Sequence, residues 1–198
     1  SNRYARWALS QNLVKGDTVC LLMPNRPEFL ALWLGVTRVG GVVALLNTNL
    51  TGHALAHCIN VVTPKHIIVA AELLAALETA RPHLTGTATW WLHGEANANL
   101  ARLDREIEGF SGNMLTGHEQ RQLTIEDGAL FIYTSGTTGM PKAANMNHYR
   151  VMLACHAFAG VMDTRADDCM YDCLPMYHTA GGLLATGAVL VKGGSVVL

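Results

Sequence analysis

Short apolar runs alternate with longer stretches that carry the apolar spacing of a helix, and this alternation continues along most of the chain. It is typical of βαβ units, in which helices cover the faces of a largely parallel sheet. The sequence therefore predicts an α/β fold with layers of mostly parallel sheet flanked by helices.

The positions of the apolar runs and of the helical spacing predict where each element lies. The predicted strands cover residues 18–23, 42–46, 66–70, 87–92, 129–134, 169–174 and the beginning of 193–198. The predicted helices cover residues 28–39, 52–62, 72–80, 148–160 and a last helix ending at 191. Clustered charge and three glycines in residues 97–122 predict a polar excursion over the surface. Because a domain rarely stops at the start of an apolar strand, we expect the chain to be part of a larger domain.

Composition excludes several classes of function. Lys and Arg number 14 against 15 Asp and Glu, so the formal net charge is −1, which disfavours a nucleic-acid partner. Apolar residues make up 50% of the chain, which excludes intrinsic disorder. Residues 39–64 and 173–191 lack Asp, Glu, Lys and Arg, but their Asn, His and Pro residues predict buried core rather than membrane spans. We expect a cytoplasmic protein, or one peripheral to a membrane.

The cysteines and histidines predict neither disulfides nor a metal site. Five widely spread cysteines are typical of reduced thiols in an intracellular protein. Cys169, Cys173 and His178 do not have zinc-ligand spacing. His53 and His57 lie four residues apart on a predicted helix without an evident third ligand, so structural histidines are the better interpretation.

Residues 134–142, Thr-Ser-Gly-Thr-Thr-Gly-Met-Pro-Lys, follow a predicted strand directly. Glycines let backbone N–H groups converge on phosphate oxygens, and hydroxyls and one cation add donors and charge. The position at the carboxyl end of a strand is where ligands gather in open α/β sheets. The segment is not a Walker loop, because Pro141 precedes Lys142 and no hydroxyl follows it. A flexible surface turn is the alternative interpretation.

The segment from Tyr133 to Lys142 closely resembles the signature phosphate loop of the adenylate-forming (AMP-binding) superfamily, which includes acyl-CoA synthetases, luciferases and nonribosomal peptide adenylation domains. Residues 45–50, 131–133 and 142–144 resemble the fatty acid transport protein branch, the very-long-chain acyl-CoA synthetases. Residues 174–181 resemble the downstream proline-aromatic-histidine motif of the superfamily, with Met176 where leucine is commoner.

The resemblance implies an acid-thiol ligase that uses ATP and Mg²⁺ and takes CoA as co-substrate. A fatty carboxylate would attack the α-phosphorus of ATP, and the CoA thiol would convert the acyl-adenylate to a thioester. The residues implied in nucleotide binding are Tyr133, Thr134, Ser135, Gly136, Thr137, Thr138, Gly139 and Lys142. Tyr177 and His178 would border the acyl pocket, with His178 as a gate between the two half-reactions. No protein metal ligand is implied within these residues.

The resemblance covers only the first portion of the large N-terminal domain of the family. Residues 1–198 are therefore expected to form an incomplete N-terminal AMP-binding domain, with the C-terminal domain absent. The segments that supply the adenine-side aromatic, the magnesium-binding glutamate, the ribose-binding aspartate and the catalytic lysine are not recognised here. We expect the fragment by itself to be inactive.

Two other functions fit the same residues. One is an adenylate-forming ligase for a shorter or aryl acid, because most acyl-pocket residues would lie beyond Leu198. The other is a non-catalytic module that binds a nucleotide or is associated with fatty acid uptake. His178 has its own alternative, a core histidine satisfied by a backbone carbonyl. Acyl chain length and oligomeric state are not determined by these residues.

Overall fold

The computed structural model describes residues 1–134 and 139–198. The strands are β1 (Thr18–Leu22), β2 (Val42–Leu45), β3 (His66–Ala70), β4 (Thr89–His93), β5 (Ala101–Arg102), β6 (Gly128–Thr134), β7 (Lys142–Asn147), β8 (Cys169–Tyr171) and β9 (Ser195–Val197). The α-helices are α1 (Asn2–Ser10), α2 (Pro27–Arg38), α3 (Gly52–Val61), α4 (Leu74–Ala80), α5 (Leu103–Glu106), α6 (His148–Val161) and α7 (Gly187–Leu190). A π-helical stretch, Ala180–Thr186, leads directly into α7.

Seven strands form one sheet in the order β5-β4-β3-β1-β2-β6-β7, and β8 pairs with β9 in a separate parallel pair. Within the described part of the seven-stranded sheet the neighbours pair in parallel, except β6 and β7, which are antiparallel. The predicted α/β class with a mostly parallel sheet is therefore confirmed. Among the helices of the described residues, none combines the length and the apolar character that crossing a membrane requires.

Helices cover both faces of the large sheet. β1, β2 and β3 are buried at every position, as expected for strands that are covered on both sides. In the sheet, β2 lies on one side of β1 and β3 on the other, so the β1–α2–β2 and β2–α3–β3 connections run in opposite directions across the sheet. Because such connections are right-handed, α2 and α3 lie on opposite faces. One apolar cluster accordingly includes α1 and α2, and a second includes α3 and α4.

Most predicted elements are present within a few residues of their expected bounds, but four were not predicted: α1, β5, α5 and β7. Tyr4, Trp7 and Ala8 are buried on one face of α1, and their spacing is a helical signal that the sequence analysis did not use. β7 lacks β-branched residues and forms because β6 pairs with it. β8 ends at Tyr171 rather than at residue 174, because the Asp172 carboxylate accepts the Leu174 N–H in a local turn.

All five cysteines are free thiols in the structure. Cys20, Cys58 and Cys155 are buried, whereas Cys169 and Cys173 are exposed. Burial raises the pKa of the Cys58 thiol to about 11, so this thiol is protonated at neutral pH.

The polar segment 97–122 is tied to α1 by the Arg6 side chain. The Arg6 guanidinium lies 2.7 Å from Oε1 of Glu119 and donates to the backbone carbonyls of Ser111 and Asn113. Leu115 of the same segment is buried. Hydrogen bonds from Arg6 and from Thr116 lower the pKa of the Glu119 carboxyl to about 2, from its ordinary 4.5.

Glu119→Gln is expected to lower the thermal midpoint at pH 7 by several degrees, because a charge-assisted contact becomes a neutral one. Since the folded state lowers the Glu119 pKa, the stabilisation is present above about pH 4.5 and is lost as the pH falls toward 2. The variant should therefore lose less stability than the wild type over that interval in thermal unfolding followed by circular dichroism. Glu108→Gln is the control, because Glu108 is 63% exposed and faces Arg105 at 3.5 Å. Equal acid sensitivity in all three proteins would contradict this account.

A side chain from β6 donates a hydrogen bond to a backbone carbonyl near the end of α3. The last four carbonyls of a helix lack partners within it, and the Cys58 carbonyl is one of these in α3. The Tyr133 hydroxyl donates to this carbonyl at 2.6 Å in a buried environment. This hydrogen bond connects the central sheet to the helix that covers it.

Tyr133→Phe is expected to lower the free energy of unfolding by about 1–3 kcal/mol, because it leaves the buried Cys58 carbonyl without its donor. Urea denaturation measures the difference. Tyr171→Phe is the matched control: Tyr171 is 69% exposed, so the expected change is within about 0.5 kcal/mol. If both substitutions gave the same small change, the Tyr133 hydroxyl would have no structural role.

Candidate functional site

A cavity of about 220 Å³ lies at the carboxyl ends of β2 and β6. Ligands bind at this edge of open α/β sheets. Four of the predicted site residues contribute to its lining, although they come from two distant parts of the sequence. The lining residues are Leu45, Asn47, Leu50, Tyr133, Thr134, Pro141, Tyr177 and His178.

A second cavity, of about 250 Å³, lies near the first residues of β3 and β4, at the opposite edge of the sheet. Its lining includes Asn60, Thr63, Thr85 and Trp90, and none of the predicted site residues. The smaller cavity is therefore the candidate functional site, because it combines the expected edge with the expected residues.

β6 presents its last two residues differently. Tyr133 is buried and its hydroxyl is bound to α3, whereas Thr134 is exposed at the end of the strand. Desolvation raises the pKa of Tyr133 above its usual value, with smaller contributions from the Cys20 and Cys58 thiols, so the phenol is neutral. Tyr133 thus contacts the cavity while its hydroxyl is used elsewhere.

Thr134 and Lys142 are directly paired across β6 and β7. Lys142 is exposed, so its ammonium group is available to a ligand at this end of the hairpin. Gly139 has φ +91°, a left-handed conformation that favours glycine, with open space where a Cβ would lie. The predicted residues Ser135, Gly136, Thr137 and Thr138 lie outside the described residues.

The segment from 174 to 176 is held by one asparagine. The Asn25 side-chain amide donates to the Leu174 carbonyl at 2.7 Å, and its oxygen accepts the Met176 N–H at 2.9 Å. Met176 itself is fully buried. These contacts connect the loop after β1 to the segment that carries Tyr177 and His178.

The buried Asp172 carboxylate also holds the segment from 174 to 176, through the Leu174 backbone. It accepts hydrogen bonds from the Thr186 hydroxyl at 2.8 Å and from the Leu174 N–H at 3.0 Å. The π-helix packs so closely that a Cβ on Gly182 would lie 2.4 Å from the Met176 carbonyl oxygen. Glycine is therefore needed there for space.

Tyr177 and His178 are adjacent in sequence but have different surroundings. The two rings are 4.5 Å apart between centroids; Tyr177 is buried and His178 is exposed. The Asn49 amide donates to the Tyr177 hydroxyl at 3.3 Å. The exposed His178 ring at the cavity does not fit the alternative of a core histidine.

Asn25, Asn47 and Asn49 shape the site but were not predicted as site residues. Asn47 lines the cavity, and its side-chain oxygen accepts the Asn49 N–H at 2.8 Å. A sequence signal for all three exists, because each asparagine follows an apolar strand at the carboxyl edge of the sheet.

The described cavity lining is largely apolar and contains no carboxylate, and its polar groups and the neighbouring Lys142 include several hydrogen-bond donors. Thr134 provides a hydroxyl, Lys142 a cation and Asn47 an amide. Such groups suit an anionic ligand. Among residues 1–134 and 139–198, no group of three or more His, Cys, Asp or Glu side chains is placed to bind a metal ion.

Comparison with solved structures reveals the same fold in a CoA ligase and in an ATP-bound protein. The anthranilate CoA ligase AuaEII in complex with anthranoyl-AMP matches with a TM-score of 0.90 and 21% identity, over 100% of this chain and 38% of the ligase chain. ATP-bound MatB from Rhodopseudomonas palustris matches with a TM-score of 0.79 and 27% identity, again over 100% of this chain and 38% of the other.

Curated relatives are similar along the whole chain. The long-chain fatty acid transport protein 6 of Mus musculus is 34% identical over 200 residues, covering 100% of this chain and 32% of the relative. The chain thus spans about a third of the length of the curated relatives it matches. The sequence profile of the family described as AMP-binding enzyme matches residues 1–198. The chain therefore belongs to the AMP-binding enzyme family.

Proposed function

We propose that residues 1–198 form part of the N-terminal AMP-binding domain of an ATP-dependent fatty acyl-CoA synthetase, an acid-thiol ligase. The observation that carries this proposal is the cavity in which the Thr134–Lys142 end of the hairpin meets Tyr177 and His178. Similarity to long-chain fatty acid transport proteins supports a fatty acid as the substrate rather than an aryl or shorter acid.

The hairpin serves the first half-reaction in this proposal. A carboxylate oxygen attacks the α-phosphorus of ATP, the bond to the bridging oxygen breaks, and pyrophosphate leaves. The Thr134 hydroxyl and the Lys142 ammonium can offset the charge that develops on the departing phosphates. We propose the same nucleotide-binding role for residues 133–139, of which 135–138 lie outside the described part of the chain.

Mg²⁺ would accompany the nucleotide in this scheme. The described cavity lining offers hydroxyl and amide oxygens, which could contribute ligands to the ion beside the phosphate oxygens. The ion would neutralise phosphate charge, while Lys142 and Thr134 orient the nucleotide.

CoA enters the second half-reaction as co-substrate. Its thiol sulfur attacks the acyl carbonyl carbon of the acyl-adenylate, and AMP leaves as the thioester forms. His178 is exposed beside the buried Tyr177 ring, a position that suits a gate at the acyl side of the cavity. The free cysteines support a cytoplasmic location, and a fatty acid substrate favours one peripheral to a membrane.

Lys142→Ala is expected to weaken Mg·ATP binding by about tenfold or more, because a charge-assisted contact to phosphate is lost. Isothermal titration calorimetry on the full-length protein measures the affinity. The thermal midpoint should change little, because Lys142 is exposed. Lys192→Ala removes an exposed lysine that lies between α7 and β9, away from the β6–β7 hairpin in sequence, and is the control. Unchanged ATP affinity in Lys142→Ala would refute the assignment of the loop.

His178→Ala is expected to impair thioester formation more than adenylate formation, because a gate acts on the transition between the half-reactions. ATP–pyrophosphate exchange reports the first half-reaction, and a thioester assay with a long-chain fatty acid and CoA reports the second. His156→Ala, another exposed histidine, controls for loss of a surface imidazole. An equal loss in both half-reactions would exclude the gate.

A further inference from the structure

Two adjacent residues of α3 contact both described ends of the phosphate loop. The Cys58 carbonyl accepts a hydrogen bond from the Tyr133 hydroxyl, and Tyr133 directly precedes Thr134, at which β6 ends. The His57 ring nitrogen Nε2 lies 3.0 Å from the carbonyl oxygen of Pro141, the residue before β7. One turn of α3 therefore holds the strand that enters the loop and the segment that leaves it.

The His57 contact has only one possible direction of donation. A carbonyl oxygen accepts but does not donate, so the His57 ring must carry a proton on Nε2. The ring is half-buried, which shields the hydrogen bond from competition with water. The contact joins residues 84 positions apart in sequence.

The accepting carbonyl belongs to the peptide unit that leads into Lys142. A peptide unit is planar, so a hydrogen bond at the Pro141 oxygen also orients the Lys142 nitrogen. The pyrrolidine ring also fixes φ of Pro141, so the backbone before Lys142 has one fewer free torsion angle. On its other side Lys142 is paired with Thr134 of β6. The Lys142 backbone is thus defined by the sheet and by His57 together.

We propose that His57 is a positioning residue for nucleotide binding, which acts by holding the Pro141–Lys142 peptide so that the Lys142 ammonium meets the phosphates of ATP. His57 does not itself line the cavity. This inference rests on the proposed function for the task it gives Lys142. The contact of His57 with Pro141 does not depend on that function.

His53 provides a matched control on the same helix. It lies one turn before His57, is exposed, and packs edge-to-face against the His83 ring at 5.6 Å between centroids. Replacing His53 removes an imidazole from α3 without touching the phosphate loop.

The experiment compares His57→Leu, His57→Gln and His53→Leu in the full-length protein by ATP–pyrophosphate exchange. His57→Leu should raise KM for ATP about three- to tenfold and leave KM for the fatty acid unchanged, because one hydrogen bond that orients Lys142 is lost. His57→Gln should stay near the wild type, since its side-chain amide can donate to the Pro141 carbonyl. His53→Leu should match the wild type.

A double substitution tests whether His57 acts through Lys142. In a Lys142→Ala background, His57→Leu should cause little further rise in KM for ATP, because the group that it positions is already absent. Full additivity of the two effects would overturn the proposal. Equal impairment of His57→Leu and His57→Gln, or no effect of His57→Leu, would overturn it as well.

Hydrogen–deuterium exchange separates this inference from the proposed function. If the wild type lacks pyrophosphate exchange activity, the proposed function fails, and amide exchange over residues 140–147 then decides the positioning claim. Faster exchange there in His57→Leu, but not in His57→Gln or His53→Leu, supports a positioning contact. Exchange in His57→Leu equal to that of the wild type overturns it.

Discussion

Parallel pairing of β2 with β6 is the constraint on which the site depends. Val43 lies beside Leu130 and Leu45 beside Ile132, which places the carboxyl ends of two distant strands at one edge. β2 is buried at every position and β6 at four of its seven, so the hydrophobic effect, rather than any contact with a ligand, stabilises this arrangement. Asn47 and Leu50, which follow β2, consequently line the same cavity as Thr134.

The Tyr133 and Asn25 side chains beside the cavity are hydrogen-bonded within the protein, whereas Lys142 and His178 are exposed to a ligand. Tyr133 and Asn25 use their side chains on backbone groups of other elements, where a missing partner would be costly. Lys142 and His178 project from segments that those contacts hold in place. This division suits the proposed binding of polyphosphate, because donors held in position before binding need little reorganisation.

The central strands could be predicted because each is a local pattern. Apolar runs identify β1 to β3, and the order of glycines and hydroxyls before Lys142 predicts a phosphate loop. β7 could not be predicted, because its residues have no strong strand preference and its conformation comes from pairing with β6. The position of Asn25 after β1 was a usable signal, but its hydrogen-bond partners could not be predicted, because residues 174 and 176 are close to it only in the folded chain.

The sequence by itself determined the α/β class and the family resemblance, and it predicts phosphate binding by residues 134–142, since these depend on residue type and short spacing. Only the tertiary structure decided that Tyr133 directs its hydroxyl to α3, that His178 is exposed at the cavity, and that His57 contacts Pro141. Each of these depends on the strand order of the sheet, which brings residues together across long separations in the chain. Short-range patterns do not contain that order.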